Sequence, residues 1–249
     1  MNNVINEIPL LFNSYLRRKP FMDVCFFFYK KYLPNVKIYL TLDNDNYDVK
    51  GLNIDILTYD DIPTTSTVMH ECHSWYYRHY FTLNYLKSLG HKYSINCMDD
   101  GWVGNINWEE FNKIVDYIEE HNADRIDLCG PQPNYELKHI NDNLYYINSE
   151  NNLPWYLTNQ CSMWKIDSLL KIYETIGPVA DPAIELHGSE VARRLNYKFL
   201  TFPFSLFNNS GVFTRTVGID NRGLELLKQY CEENNFDYNE KLNEFNQFI

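Results

Sequence analysis

The segment Asn96-Cys97-Met98-Asp99-Asp100-Gly101-Trp102 sets two adjacent carboxylates where a short run of strand-like residues ends. Neighbouring acids leaving a buried strand repel each other unless a cation or hydrogen-bond donors offset them. Mg²⁺ or Mn²⁺ suits such a pair, because these ions take oxygen ligands and are commonly held by one or two carboxylates together with substrate phosphates. A plain turn is the competing reading, since Asp and Gly are both turn formers. The other cluster of potential ligands is His70-Glu71-Cys72-His73. Its H-x-x-H spacing lacks the i, i+4 geometry of H-E-x-x-H and no second Cys/His group lies nearby, so it reads as a loop and not as a zinc site. The sequence holds no G-x-G-x-x-G, Walker motif or G-x-S-x-G, which argues against dehydrogenase, P-loop kinase and α/β-hydrolase chemistry.

Short apolar runs alternate with amphipathic stretches, the pattern of an α/β domain with strands in a central sheet and helices on its faces. Residues 7–13 (E-I-P-L-L-F-N) read as a first strand that turns at Ser14-Tyr15. Residues 20–33 read as a helix, with Pro20 near its start and Pro34 just past its end. Residues 36–42 form a strand running into an acidic loop at Asp43, and residues 54–58 form another. A helix over 75–89 is closed by Gly90, and the strand over 92–98 delivers Asp99 and Asp100. These make three strand-helix units, and Asp43, Asp99 and Asp100 all lie at strand carboxyl ends, where open α/β sheets bind ligands.

In the second half, Asn107 caps a helix with Glu110 as capping-box partner, and Trp108, Phe111, Ile114, Val115 and Ile118 share one face. A strand over 125–129 and a hairpin over 136–147 follow. Residues 165–176 are helical, and another helix runs from Asp181-Pro182 to about Asn196. Residues 197–202 form a last strand. Residues 222–234 form a C-terminal helix with a loose polar tail.

The 249 residues are 45% hydrophobic and 22% charged, with an aromatic share of 16%, which fits one folded domain and excludes disorder over most of the length. With 22 basic against 33 acidic residues the formal charge is −11, which argues against nucleic-acid binding and against coating an anionic membrane. Membrane insertion is not expected, because no stretch approaches the roughly 18 apolar residues that a spanning helix needs. The N-terminus has no basic region followed by an apolar one, so no secretion signal is read and the cytoplasm is the expected compartment. The six cysteines (25, 72, 97, 129, 161 and 231) are scattered, as expected of reduced and mostly buried thiols.

Several segments, in order, resemble a group of GT-A-like glycosyltransferases found in bacterial surface-polysaccharide loci, phages and large DNA viruses. They are Phe21-Met22-Asp23-Val24 leading to Tyr29-Lys30-Lys31-Tyr32-Leu33-Pro34, then Lys37-Ile38-Tyr39-Leu40, then Ser74-Trp75-Tyr76-Tyr77-Arg78 and the acidic pair. The resemblance returns in Trp164 to Leu169-Leu170, a W-x-x-x-x-L-L stretch. It ends in Ile184-Glu185-Leu186-His187-Gly188-Ser189, similar to an F-E-x-x-G-S segment. Two departures stand out. The acidic pair is often Glu-Asp before a large aromatic and is Asp-Asp-Gly-Trp here, and the segment before Glu185 often carries Trp and is Asp-Pro-Ala-Ile here.

The resemblance implies a single GT-A-like, Rossmann-like domain over 1–249, with a donor half over about 1–130, an acceptor half over about 131–215, and a C-terminal helix and tail over 216–249. It implies a glycosyltransferase, inverting and metal-assisted, that moves a sugar from a nucleotide-sugar donor to a glycan acceptor. On that pattern Asp99 and Asp100 hold Mn²⁺ or Mg²⁺ against the donor diphosphate. Phe12, Ser14 and Tyr15 lie where such folds pack the nucleobase, and Arg78 adds positive charge to the phosphates. Asp43 either contacts the nucleoside or caps its loop. Glu185 takes the position of the catalytic base, with Glu190 and Asp181 as competitors. Trp155, Gln160 and Trp164 line the acceptor side. Two rivals remain: a sugar nucleotidyltransferase, whose usual Gly-rich basic loop is here Asn13-Ser14-Tyr15-Leu16-Arg17-Arg18 without Gly, and a non-catalytic glycan-binding module.

Overall fold

The computed structural model describes residues 7–43, 45–49, 51–59, 68–132, 135–150, 156–158, 160–179, 181–207, 210–211 and 219–247, with backbone alone for 68–74, 181–183 and 210–211. Strand β1 (Leu10–Asn13) is buried at all four positions. That is the signature of a strand covered on both faces. A short 3-10 turn (Leu16–Arg18) leads into α1 (Lys19–Tyr32), which Pro20 starts. Strands β2 (Ile38–Thr41) and β3 (Ile54–Leu57) follow, then α2 (Val68–Ser88) and β4 (Tyr93–Cys97). Next come β5 (Gly101–Trp102), α3 (Trp108–Phe111), α4 (Ile114–Glu120), β6 (Arg125–Asp127), and the hairpin of β7 (Leu137–Asn141) and β8 (Leu144–Ile147). The chain continues through β9 (Ser162–Lys165), α5 (Ile166–Ile176), α6 (Asp181–Arg194), β10 (Phe199–Thr201), β11 (Ser210–Gly211), α7 (Asn221–Asn234) and α8 (Tyr238–Asn246).

Nine strands form one mixed sheet in the order β3-β2-β1-β4-β9-β6-β10-β8-β7, and β5 and β11 form a small second pair. The first four strands are parallel, while β9 runs antiparallel between β4 and β6. Side chains alternate across β1. Leu10 and Phe12 join a core with α1 on one face, and Leu11 joins a core with α2, α5 and α6 on the other. Helix α1 therefore crosses from β1 to β2 on one face, and α2 crosses from β3 to β4 on the opposite face. The strand order reverses between β1 and β4, which makes that edge a topological switch point.

Several expectations need correction. Helix α2 starts at Val68, so residues 70–73 lie in it and not in a loop. The helix expected after Asn107 is two short ones. Asn107 does cap α3 through the amide of Glu110, but the box is not reciprocal: the Glu110 carboxylate accepts from Tyr117 Oη (2.8 Å), and Asn107 N–H donates to Leu206 O (2.8 Å). Trp108 is exposed. Strand β9 was not anticipated, β10 is followed by β11, and the tail is ordered as α8, whose Phe245 packs edge-on against Phe21 (4.8 Å) and Trp102 (5.4 Å). Cys25, Cys97, Cys129, Cys161 and Cys231 are free thiols.

Candidate functional site

Strands β1 and β4 are in register with Phe12 opposite Cys97, so two residues further on Ser14 faces Asp99. The Ser14 hydroxyl donates to Asp99 Oδ2 and ties the two chain ends together where they leave the sheet. Residues 14–18 fold back over this edge because Arg18 N–H donates to Tyr15 O (2.8 Å) and Leu16 N–H donates to Asp43 Oδ1 (2.7 Å). Asp43 is thus the cap of the β1 loop. The fold-back brings Arg18 across the acidic pair: Nε donates to Asp99 Oδ2 (2.8 Å) and Nη2 to Asp100 Oδ2 (2.9 Å). The Phe21 ring lies 4.9 Å under the guanidinium.

Asp99 is 2% exposed. Burial, reinforced by the charge of Asp100 and opposed by Arg18 and by the Ser14 bond, pushes its carboxyl up to about 6. Arg78 of α2 is also 2% exposed; it donates from Nη1 to Ser14 O (2.8 Å) and sits 4.2 Å over the Tyr15 ring. Arg17 lies 5.4 Å from the same ring. The structure therefore brings Ser14, Tyr15, Arg78, Asp99 and Asp100 together at one edge, with Arg18 beside them.

Phe12 does not join them. It has no exposed surface and packs edge-on against Phe26 and Tyr29, each at 5.1 Å, so it is core and offers no face to a nucleobase. Trp164 is buried, its Nε1 donates to Ser162 Oγ (3.1 Å), Arg125 and Phe199 pack on its ring, and it lines the same small cavity as Gln160. Trp155 lies outside the described residues. Gln160 is exposed and borders a cavity of about 20 Å³ with Asn13, Asn96, Met98 and Ile184. That volume is of the order of one ordered water. Ile184 and Met98 precede Glu185 and Asp99, so α6 and the acidic strand end meet at one cavity. Glu185 is half-buried, whereas Glu190 is exposed beside Arg194 (3.9 Å) and Asp181 is the first residue of α6.

Two further groups near this edge carry no sequence signal beyond a polar residue in an apolar stretch. His79 is buried in α2 with Nδ1 2.5 Å from Tyr173 Oη, and burial lowers its imidazole to about 3, so it is neutral. Asp127, at the carboxyl end of β6, pairs with Arg125; both are buried, and Arg125 Nη2 donates to Thr158 Oγ1 (2.9 Å). Burial raises Asp127 to about 6 against the pull of Arg125. Burial, with the charges of Asp127 and Glu185, also raises the nearby Tyr135 phenol.

The donor set at the acidic pair does not fit a resident Mn²⁺ or Mg²⁺. Asp99 Oδ2 serves Ser14 and Arg18 at once, and Arg18 also grips Asp100, so both carboxylates are already engaged by a guanidinium. Arg18 is the cation that lies across the pair.

The fold is GT-A-like. The structure of S. aureus TarS aligns with a TM-score of 0.50 and 8% identity over 94% of this chain and 41% of that one. A shorter S. aureus TarS structure in complex with UDP-GlcNAc gives 0.47 and 11% over 97% and 71%, and an apo UDP-glucose pyrophosphorylase gives 0.48 and 8% over 91% and 99%. At such identities the likeness is one of fold. No family model and no curated protein matches the chain. No helix among the described residues is long and apolar enough to cross a membrane.

Proposed function

We propose that this chain is an enzyme that binds a nucleoside-diphosphate sugar and transfers the sugar to a glycan acceptor. The observation that carries this reading is the Ser14–Asp99–Arg18–Asp100 cluster spanning the switch point, where open α/β sheets take their ligands. In a chain of formal charge −11, Arg17 and Arg18 of the loop that folds over that edge and Arg78 of α2 gather around Tyr15 and the acidic pair. A departing diphosphate needs such countercharge, held in place before the bond breaks. Arg78 is fixed by Ser14 O and the Tyr15 ring, so it brings its charge without reorganising.

The acceptor hydroxyl must lose a proton as it attacks. Glu185, which follows the cavity-lining Ile184 on α6, takes it as general base, and attack from the side opposite the diphosphate inverts the sugar. Gln160 is the exposed polar group available to the acceptor.

The test is a panel of UDP-, GDP-, CDP-, ADP- and dTDP-sugars, with product release followed by mass spectrometry. Glu185→Gln is expected to lower transfer by about 10²–10⁴-fold while donor affinity stays within about twofold. Binding without turnover of any sugar nucleotide would leave a non-catalytic glycan-binding module. The basic Arg17-Arg18 pair directly after β1 favours one alternative, a sugar nucleotidyltransferase. Release of a nucleoside triphosphate from sugar nucleotide plus pyrophosphate would reveal it.

A further inference from the structure

We propose that Arg18 takes the place of a divalent cation at this site, so that the chain binds the diphosphate of its ligand without metal. The inference rests on the sugar-nucleotide reading above and specifies how that site meets the phosphates. The guanidinium forks across both acids, with Nε on Asp99 and Nη2 on Asp100, in the side-by-side geometry that makes Arg the partner of choice for paired carboxylates and phosphates. Asp99 is almost fully enclosed, and its Oδ2 is shared between Ser14 and Arg18. An incoming ion would have to break this bond and leave a guanidinium stranded on Phe21.

Arg18 is also equipped to reach outward. Its side chain is 29% exposed, and Nη1 has no protein partner among the described residues. A guanidinium carries five N–H donors in one plane, so two can anchor to the acids while others face an anion. Asp99 and Asp100 are then positioning residues that aim a fixed cation, and Arg78 is the second charge behind the same loop.

The experiment uses the full chain and the nucleoside diphosphates UDP, GDP, CDP, ADP and dTDP, with the matching nucleosides as phosphate-free controls. Affinity is measured by calorimetry in excess EDTA and in Mn²⁺. The expected result is that the preferred diphosphate binds within about twofold equally in both, and that Mn²⁺ titration with the diphosphate present shows no stoichiometric ion. Arg18→Gln is expected to weaken the diphosphate at least tenfold and leave the nucleoside unchanged, and Arg18→Lys, which keeps charge but loses the fork, to fall between. Circular dichroism of both variants checks that they fold. Binding that appears only with Mn²⁺ and survives Arg18→Gln overturns the inference while the sugar-nucleotide reading stands. If no diphosphate binds in either condition, that reading fails and takes the inference with it.

Discussion

Two buried acids set the energetics at the scale of single residues. Arg125 is fully buried; among the described residues Nε and Nη1 have no hydrogen-bond partner, and Asp127 is the charged side chain in contact with it. Breaking such a pair leaves an uncompensated charge inside the protein, whereas replacing both members by apolar groups does not. Arg125→Met alone is expected to cost about 3–5 kcal/mol in urea unfolding, and Arg125→Met with Asp127→Leu to recover most of it. A double variant no more stable than the single would show that the pair is not what the fold depends on. Asp99 has a pH signature. Its pKa rises from an ordinary 3.8 to about 6 on folding, so the folded chain holds the proton more tightly than the unfolded one. That group stabilises the fold as pH falls from about 6 to about 4 and opposes it above both values. Asp99→Asn should flatten the melting temperature over that window relative to the parent, and superimposed profiles would refute the raised pKa. The acidic pair itself was legible, because two adjacent acids at a strand end demand compensation. Arg18 was visible only as half of a basic pair after the first strand, since nothing in the spacing says that residue 18 reaches residue 99.

Among the elements, α6 shows why a short segment can look like a motif. A Cβ on Gly188 would lie 3.1 Å from Leu157 Cδ1 and 3.2 Å from Ile172 Cγ2, and Ser189 Oγ accepts from Leu157 N–H (2.7 Å). The Gly-Ser step lets α6 close on α5 and pins the stretch that leads to Gln160. Helix α8 was hidden by its polar composition, because a nine-residue helix with one fully buried side chain has too little apolar periodicity to read. Phe245 anchors it against Phe21 and Trp102, next to the turn that carries the acidic pair. Phe245→Ala is expected to cost about 3–5 kcal/mol by urea unfolding, as for a buried aromatic that leaves a cavity. A loss under 1 kcal/mol would mean that α8 is not docked.

Over the whole molecule, the two halves named from the sequence share one sheet. Strand β9 comes from the second half yet lies between β4 and β6 of the first, and β10 pairs with β6. Residues 1–130 alone would leave β4 and β6 without the strand that joins them, so this fragment should show no cooperative unfolding by circular dichroism. A sharp transition would show that the first half folds independently. The strand was missed because Ser162-Met163-Trp164-Lys165 is four residues long and runs directly into a helix, so its pairing is a long-range decision.

The sequence by itself determined the strand and helix types of the first half, the carboxyl-end placement of Asp99 and Asp100, and the acidity that makes clustered arginines informative. Those follow from local periodicity, turn chemistry and charge counting. Only the tertiary structure decided that Phe12 turns into the core, that Asp43 caps a loop, and that Arg18 lies across the acidic pair. Which face of the sheet a side chain meets, and which distant charge arrives beside it, depend on strand order and crossover, and these are fixed by packing between elements far apart in the chain.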